Sequence, residues 1–456
     1  MSADVIIIGS GQAGAPLAYR FARAGKSVIL FESSHVGGTC VNVGCTPTKT
    51  FVACADAAHR ARRGGEFGVE TGEVRVNMAT VVARKNEIVQ MWRSGVQRNI
   101  EKHADNLTLV REHARFSGSD VVEAGGEEYR ADTIIVNVGL RPFVPPIPGL
   151  DQIDYLTNEN VMDLEDVPEH LIVLGGGFIG CEFGQAYRRL GAKVSIVDLA
   201  DHLMAREDHD LTESLAEVFE QEGIGLHLGA GAERVEATDG GLRLHLASGT
   251  TLDGSHLLVS VGRAPNTDSL GCEAAGVELD QRGYIVVDDH YRSSVSGVYA
   301  VGDVTGGPLF THSSWDDHRI LFDILQGNER RTRSDRLAPS SAFTDPQLAR
   351  VGLSEREAEA AGVTYEVATM PFGRVARAVE TRQTAGLMKV LVDPDTEEVL
   401  GAAILGAQAG ELIHVFSMIM QAGATAQTIV DAEMVHPTFA EGLQTLVMRL
   451  DRYTLS

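Results

Sequence analysis

Two stretches of this sequence decide its fold, and the first is DVIIIGSGQAG, residues 4–14. The apolar run predicts a buried β-strand, and Gly9, Gly11 and Gly14 predict a tight turn that opens a helix. A second apolar strand then ends at Glu32. This order is typical of a dinucleotide site. The turn lets the backbone approach a pyrophosphate, and the acid accepts hydrogen bonds from a ribose.

The second stretch repeats this order between residue 170 and Asp198. It contains HLIVLGGG, then the glycines Gly175, Gly177 and Gly180, then a strand that ends at the acid. Subtracting 166 from 175, 177, 180 and 198 gives 9, 11, 14 and 32. One glycine turn is a weak signal, but two complete copies with a constant offset predict two nucleotide sites.

Each copy later has an apolar exit strand that is followed by a glycine and a proline, in residues 134–142 and 257–265. Gly139 and Arg263 follow these strands directly and are predicted to contact the cofactors. A third apolar strand ends just before Asp303 and is predicted to return to the first nucleotide domain.

The predicted fold class is α/β, with two Rossmann-like nucleotide-binding domains and a C-terminal α+β domain. The predicted domains are 1–148 with 266–338, then 149–265, then 339–456. In the last of these, residues 387–392 and 399–405 flank the turn sequence DPDT and predict a hairpin. The apolar, Met-rich helix predicted at 412–422 is assigned to the core or to a subunit interface.

Composition narrows the class of protein. A length of 456 residues suggests about three domains. The formal charge of −24 argues against nucleic-acid binding, which needs a basic face. No apolar run approaches the roughly 18 residues of a membrane span. The N-terminus enters a strand without the basic and apolar regions of a signal peptide, so we expect a cytoplasmic protein.

A segment with two closely spaced cysteines, GGTCVNVGCTPTK at residues 37–49, follows the first nucleotide strand pair. On a regular helix, Cys40 and Cys45 would have Cα atoms about 8.7 Å apart, whereas a disulfide needs less than about 7 Å. A bond between them therefore requires a distorted helix start, which nearby glycines permit. A strained bond is easily reduced, and a helix N-terminus favours thiolate, so the pair is predicted to be redox-active.

Two other interpretations of these cysteines remain open. They could be buried structural cysteines or half of a zinc site, although His35 alone is poor support for further ligands, and no metal site is predicted. Cys54, Cys181 and Cys272 receive no role beyond that of small core residues.

A second element of chemistry lies near the C-terminal end, in His436-Pro-Thr-Phe-Ala-Glu441. Thiol–disulfide exchange needs a base that takes a proton from the attacking thiol and returns it to the leaving one. A histidine that is oriented by a carboxylate suits that role, so His436 and Glu441 are candidates for it.

Together these motifs, with VGRAPNT and YAVGDV, resemble the class I pyridine nucleotide–disulfide oxidoreductases over about residues 4–445. That family includes dihydrolipoamide dehydrogenase, glutathione reductase and mercuric reductase. The resemblance implies that FAD binds the first glycine turn and Glu32, with Asp303 on its ribityl chain. It also implies that NAD(P)H binds the second glycine turn, Gly175, Gly177 and Gly180.

The resemblance further implies roles for the catalytic residues. Hydride would pass to the flavin and then reduce the cysteine bond, with Cys45 as the flavin-proximal, charge-transfer thiol and Cys40 as the interchange thiol. Lys49 and Glu182 match a pair that the family places beside the flavin. The His436–Glu441 pair matches a base that reaches the other subunit's cysteines, which implies an obligate homodimer built by the third domain.

Fewer residues indicate to which branch of this family the chain is most similar. Asp198 would repel the extra phosphate of NADP, so we expect a preference for NADH. The basic Arg206 lies nearby in the sequence, so the expected preference is modest. Residues 47–50, 144–149 and 302–307 look most like a mercuric-reductase-like subgroup that includes copper(II) reductases, so the acceptor is expected to be a disulfide or a thiol-bound metal ion. Mercuric reductases typically add a C-terminal cysteine pair and lack the His-Pro motif, unlike this chain.

Three alternatives stay open at this point. Dihydrolipoamide dehydrogenase shares the His–Glu motif and the preference for NAD. A non-catalytic flavin sensor would cycle Cys40–Cys45 without turnover, and a flavin oxidase would not need Cys40 at all.

Overall fold

The computed structural model describes residues 1–454. The strands of the first 148 residues are β1 (Val5–Ile8), β2 (Val28–Phe31), β3 (Leu107–Val110), β4 (Ala114–Phe116), β5 (Val121–Ala124), β6 (Glu127–Arg130), β7 (Thr133–Val136) and β8 (Leu140–Pro142). The helices of this part are α1 (Gly14–Arg23), α2 (Gly38–Asn42), α3 (Cys45–Arg62) and α4 (Met78–Glu101).

The middle of the chain continues with further strands and helices. The strands are β9 (His170–Leu174), β10 (Lys193–Val197), β11 (Ile224–His227), β12 (Ala232–Thr238), β13 (Gly241–Leu246), β14 (Thr251–Gly254), β15 (His256–Val259), β16 (Arg263–Pro265) and β17 (Val298–Ala300). The helices are α5 (Phe178–Leu190), α6 (His209–Gln221), α7 (Cys272–Ala275) and α8 (Thr311–Leu325).

The C-terminal part contains strands β18 (Ser340–Ala342), β19 (Gln347–Gly352), β20 (Glu366–Pro371), β21 (Leu387–Val392) and β22 (Val399–Gly406). Its helices are α9 (Glu355–Ala361), α10 (Ala376–Glu380), α11 (Ala409–Gln421), α12 (Ala426–Val430) and α13 (Glu441–Val447). Short 3₁₀ helices occur at Gly64–Phe67, Leu150–Gln152, Val161–Asp163, Asp303–Thr305, Phe372–Arg374 and Asp451–Tyr453.

The first nucleotide-type sheet has five parallel strands in the order β17-β7-β1-β2-β3. Its central strand β1 is buried along its whole length, as expected for a parallel sheet covered on both faces. The strand before Asp303 pairs with β7, so the return to the first sheet that the sequence predicts is confirmed.

The second nucleotide-type sheet has four parallel strands in the order β11-β10-β9-β15. A three-stranded antiparallel sheet, β12-β13-β14, is inserted before β15 and has a counterpart, β4-β5-β6, in the first part of the chain. Neither of these small sheets is evident from the motifs. An antiparallel ribbon of β8 and β16 joins the two nucleotide-type sheets.

The C-terminal sheet is antiparallel, with the order β18-β19-β22-β21-β20. The hairpin predicted around DPDT is confirmed by the pairing of β21 with β22. Helix α11 packs on β22 and β19, and its buried face joins the core of this sheet. The α/β class, with two Rossmann-like sheets and a C-terminal α+β region, is therefore confirmed.

Within residues 1–454, none of the helices is long and apolar enough to cross a membrane.

Candidate functional site

A single continuous cleft of about 1950 Å³ passes the carboxyl ends of both parallel sheets and the cysteine segment. Gly9 and Glu32 line it after β1 and β2, and Gly175 and Asp198 line it after β9 and β10. Ligands of open α/β sheets bind at this edge. The fold therefore brings both glycine turns and both cysteines to one cavity.

The first glycine turn is held by a residue that the motifs do not mark. Gly9 has a φ of +101°, which disfavours a side chain, and a Cβ at Gly14 would lie 2.0 Å from the carbonyl oxygen of Gly9. The backbone N–H of Gly14 donates to Oδ1 of Asn137 at 2.9 Å, and Nδ2 of Asn137 donates to the Val301 carbonyl at 2.9 Å. Alignment of the two exit strands could have found Asn137. Asn137 and Ser260 occupy the same position, two residues before the glycine that follows each strand.

The acid that ends β2 is already oriented towards the turn. The hydroxyl of Ser10 donates to Oε2 of Glu32 at 2.6 Å, and the backbone N–H of Ser34 donates to Oε1 at 2.8 Å. The carboxylate therefore stands fixed at the cleft edge, where it fits the ribose of a dinucleotide.

The second turn has the same backbone form. Gly175 has a φ of +110°, and a Cβ at Gly180 would lie 1.8 Å from the Gly175 carbonyl oxygen. A Cβ at Gly177 would meet no heavy atom within 4 Å, so the backbone is open to an approaching ligand. Asp198 accepts hydrogen bonds from the backbone N–H groups of Gly176 and Ala200. These features fit the pyrophosphate and ribose of a second dinucleotide.

The cysteine segment has the kind of distorted helix start that a bond between its two cysteines would require. Helix α2 ends at Asn42 and α3 begins at Cys45, with Gly44 between them at φ −122° and ψ −122°. A Cβ at Gly44 would lie 2.8 Å from the Thr39 carbonyl oxygen, so the two short turns pack closely at this break. Both cysteines are free thiols, and both line the cleft.

The two thiols are electrostatically distinct. A hydrogen bond from Cys40 is the largest of several effects that lower the pKa of Cys45 to about 6, and Thr311 and Lys49 add to it. The same hydrogen bond, together with burial, raises the pKa of Cys40 above its ordinary value. Cys45 is also the first residue of α3, and a helix N-terminus favours a thiolate, so both effects favour ionisation of Cys45 over Cys40.

Thr311 is a second residue that sequence reasoning missed. Its Oγ1 lies 3.0 Å from Sγ of Cys45, although the two residues are 266 positions apart. It occupies the first position of α8, and no motif around it marks a contact with a thiol. Only the packing of α8 against the cysteine segment could reveal it.

The predicted Lys49–Glu182 pair forms. Nζ of Lys49 lies 2.7 Å from Oε2 of Glu182, which is buried, while the backbone N–H of Phe343 donates to the other carboxylate oxygen at 2.8 Å. The pair exists because α3 packs against α5, with ring centroids of Phe51 and Tyr187 5.0 Å apart. It places a cation one helical turn from Cys45.

Asp303 and Arg263 meet on the cleft wall. Nη1 of Arg263 lies 2.8 Å from Oδ2 of Asp303, and Nη2 donates to the Leu140 carbonyl at 3.1 Å. Burial raises the pKa of Asp303, and the guanidinium opposes that rise. Gly139 also lines the cleft, and a Cβ there would meet no heavy atom within 4 Å.

His436 and Glu441 pair with each other and do not join the cysteines of their own chain. Nδ1 of His436 lies 2.8 Å from Oε2 of Glu441, and the imidazole is 72% exposed while the carboxylate is 19% exposed. Neither residue lines the cleft. The orientation by a carboxylate is as predicted, and the exposed Nε2 edge faces away from the carboxylate.

The described residues contain no group of three or more His, Cys, Asp or Glu side chains that could hold a metal ion. Cys181 and Cys272 are buried and Cys54 is half-buried, in keeping with core positions.

Comparison with known proteins agrees with this geometry. Residues 3–317 match the family described as pyridine nucleotide-disulphide oxidoreductase, and residues 338–447 match the dimerisation domain of that family. The chain belongs to this family. It is therefore an FAD-dependent oxidoreductase that uses NAD(P)H, and its C-terminal region is a dimerisation domain.

Relatives from several branches are similar to the chain. A probable pyridine nucleotide-disulfide oxidoreductase, RclA, from Escherichia coli is 35% identical over 97% of this chain and 98% of that protein. A mercuric reductase from Lysinibacillus sphaericus is 32% identical over 98% and 83%, respectively. A dihydrolipoyl dehydrogenase from Thermus scotoductus is 33% identical over 99% and 98%.

A solved structure of the Cu(II) complex of the HOCl-induced flavoprotein disulfide reductase RclA from Escherichia coli superposes with a TM-score of 0.90. It is 33% identical, and the match covers 98% of this chain and 99% of that one.

Proposed function

We propose that the enzyme uses NAD(P)H to reduce a small disulfide at Cys40 and Cys45, in a homodimer whose two active sites each need a histidine from the other subunit. The observation that carries this proposal is the different placement of the two thiols: Cys45 is the first residue of α3 and lies 3.0 Å from Thr311, which favours its thiolate, whereas Cys40 lies on α2. Because Cys40 holds its proton, an exchange that begins at Cys40 needs a base. The exposed, carboxylate-oriented His436 is suited to that task.

The Cys40 sulfur attacks the substrate disulfide and passes its proton to Nε2 of the partner subunit's His436, which returns it to the first departing thiolate. The Cys45 thiolate then attacks Sγ of Cys40, forms the Cys40–Cys45 disulfide and releases the second product as a thiolate, which takes its proton from solvent. Bound FAD supplies the two-electron relay from NAD(P)H that restores the dithiol.

Residues of the two turns support the assignment of the cofactors. Gly9, Gly11, Gly14 and Glu32 would hold the FAD pyrophosphate and ribose, with Asp303 further along the same wall. The open backbone at Gly177 and the fixed carboxylate of Asp198 would hold NAD(P)H, and that carboxylate favours NADH because it would repel a 2′-phosphate. A higher kcat/KM for NADH than for NADPH would support this preference, and the reverse ratio would contradict it.

A second candidate acceptor is a thiol-bound metal ion. The similarity to mercuric reductases and to a structure solved as a Cu(II) complex favours it. Here the metal ion is the substrate, and Cys40 and Cys45, which both line the cleft, would be its thiol ligands.

The direct test is anaerobic NADH oxidation by the holoenzyme with lipoamide in one reaction and Cu(II) or Hg(II) in another. We expect lipoamide turnover in the wild type and none in Cys40→Ser, while NADH still reduces the FAD. Metal-dependent turnover with lipoamide inert would replace the first candidate by the second. The absence of turnover with either acceptor would contradict both candidates. NADH oxidation that starts only when oxygen is admitted, and that survives in Cys40→Ser, would indicate a flavin oxidase.

Replacing His436 distinguishes its proposed role in thiol–disulfide exchange from the reduction of the flavin. His436→Ala is expected to slow lipoamide reduction by about 10²- to 10⁴-fold, the usual contribution of a general acid–base group. Reduction of FAD by NADH should stay unchanged, because the proton transfer assigned to His436 belongs to the thiol–disulfide exchange and not to hydride transfer. His209→Ala is the matched control, since His209 also faces a glutamate, 3.8 Å away, on an exposed surface. Equal slowing of both half-reactions would contradict the assigned role.

The protonation of Cys45 gives a pH test. In the dithiol enzyme, thiolate absorbance should fall as the pH drops through about 6, well below the pKa of about 8.5 of a free cysteine. Cys40→Ala removes the donor and should move this midpoint upward, whereas Cys40→Ser keeps a donor and should move it less. A wild-type midpoint near that of free cysteine would contradict the assignment of Cys45 as the thiolate.

A further inference from the structure

The loop after β10, residues 199–208, forms the wall of the cleft beside the second glycine turn. Leu199 and residues 204–207 line the cleft, and Asp198 stands at the start of the loop. Arg206, the basic residue near the expected ribose end, belongs to this wall. The conformation of the loop therefore sets the shape of the region where the donor's adenosine half would lie.

The middle of the loop is fixed to the glycine turn. The backbone N–H of Met204 donates to the Gly176 carbonyl at 2.8 Å, and the N–H of Glu207 donates to the Met204 carbonyl at 2.8 Å. Met204 has a φ of +46°, a left-handed conformation that a methionine adopts only when its surroundings impose it. Its side chain is 3% exposed, so burial is part of that restraint.

The second half of the loop, from Ala205 to Asp208, is held by the C-terminal region of the same chain. Arg356, on α9, donates from Nη1 to the Ala205 carbonyl at 2.8 Å and from Nη2 to the Arg206 carbonyl at 2.9 Å. The backbone N–H groups of Glu355 and Arg356 donate to Asp208 at 3.1 and 3.3 Å. One guanidinium thus bridges two consecutive peptide groups of the cleft wall.

Two groups of ion pairs, one around Lys389 and one around Arg350, surround this bridge. Nζ of Lys389, whose side chain is 3% exposed, lies 3.4 Å from Asp208 and 2.8 Å from Asp210, and it also pairs with Glu355. Nε of Arg350 lies 2.9 Å from Glu207. These pairs fix the position of α9 against the loop without Arg356, so removal of Arg356 should release the two carbonyls and leave the rest of the contact in place.

We propose that Arg356 is a positioning residue for the nicotinamide cofactor, because it holds the Ala205 and Arg206 backbone in the shape that binds the donor. The inference rests on the assignment of the second glycine turn to NAD(P)H. It makes donor affinity depend on the dimerisation domain of the same chain. Arg356 itself is exposed and does not line the cleft, so it acts through the loop.

The test is titration calorimetry of the FAD-loaded dimer with NAD⁺, together with stopped-flow reduction of the FAD at increasing NADH. In Arg356→Ala we expect the Kd for NAD⁺ to rise about tenfold, in keeping with the loss of two charge-assisted hydrogen bonds. The limiting rate of FAD reduction at saturating NADH should stay within about twofold of wild type. Flavin content and Tm should not change, because Arg356 is exposed.

Two further arginine variants sharpen this result. Arg356→Lys keeps the charge but not the planar fork that reaches two carbonyls, so its Kd should remain close to that of Arg356→Ala. Arg377→Ala is the matched control, because Arg377 forms an exposed pair with Glu380 on α10 and should bind NAD⁺ as the wild type does. An unchanged Kd in Arg356→Ala, or full recovery in Arg356→Lys, would overturn the proposal.

Gly177→Val distinguishes the inference from the assignment on which it rests. A valine there projects into open space and should weaken NAD⁺ binding without loss of FAD. If Gly177→Val weakens binding and Arg356→Ala does not, the donor site stands and the role of Arg356 is wrong. If neither variant changes the Kd, the donor site lies elsewhere and both statements fall.

Discussion

The two glycine turns share a sequence motif and a backbone, yet the protein closes one of them and leaves the other open. A Cβ at Gly11 would lie 2.8 Å from Oδ1 of Asn137, whereas a Cβ at Gly177 would meet nothing within 4 Å. The turn at Gly11 is completed by an amide that bonds both the helix start and the return strand. The second turn has only the hydroxyl of Ser260 at the equivalent position.

This difference teaches that a motif glycine can be required for two separate reasons. In the first turn, Gly11 makes room for the side chain of Asn137. The hydrogen bonds of Asn137 connect β7 with the start of α1 and with the residue that follows β17. In the second turn the glycine leaves room for a ligand. The first arrangement suits a cofactor that stays bound, and the second suits one that enters and leaves in each turnover.

The largest expected effect tests what the two turns have in common. A methyl group at Gly14 or Gly180 would overlap the carbonyl oxygen of Gly9 or Gly175, and neither backbone has room to move. We expect Gly14→Ala to lose FAD and about 1–3 kcal/mol or more of stability. Gly180→Ala should keep FAD and lose NAD⁺ binding. Flavin content after gel filtration and NAD⁺ titration measure both, and the opposite pattern would reverse the assignment of the turns.

A smaller effect tests the residue that distinguishes the turns. Asn137→Ala leaves the buried N–H of Gly14 without its acceptor, so we expect a loss of about 1–3 kcal/mol in the free energy of unfolding. Ser260→Ala should lose less than about 1 kcal/mol, because the Leu174 carbonyl that its hydroxyl contacts also accepts from the Ser260 N–H at 2.8 Å. Thermal unfolding of the two variants compares them. Equal losses would show that the turns are built alike.

The smallest effect on stability is expected at Gly177, the middle glycine of the second turn, and it is compared with Gly11 in the first. Gly11→Ala pushes against Asn137 and should lower Tm and flavin content, at a cost of about 1 kcal/mol. Gly177→Ala should leave Tm unchanged, because its φ of −77° suits any residue and its Cβ meets open space. Only the KM for NADH should rise. A fall in Tm for Gly177→Ala equal to that for Gly11→Ala would break the comparison.

Much of the fold could be predicted because its requirements are local. A glycine with positive φ, an apolar strand and an acid at a fixed offset each follow from a few consecutive residues, so Glu32 and Asp198 could be placed on the same edge. The break between Cys40 and Cys45 follows likewise from helix geometry and the neighbouring glycines. The small sheets β4-β5-β6 and β12-β13-β14 carry no such signature and were not predicted.

The sequence by itself determined the two nucleotide folds, the cysteine pair and the histidine–glutamate pair, because each is written in residue types at short spacing. Tertiary packing alone shows which groups surround each thiol, how the first turn is closed and what holds the loop of residues 199–208 in place. These depend on contacts such as Cys45 with Thr311, 266 positions apart, and Gly14 with Asn137, 123 positions apart. Such pairs have no periodicity along the chain, and only the packing of whole elements brings them together.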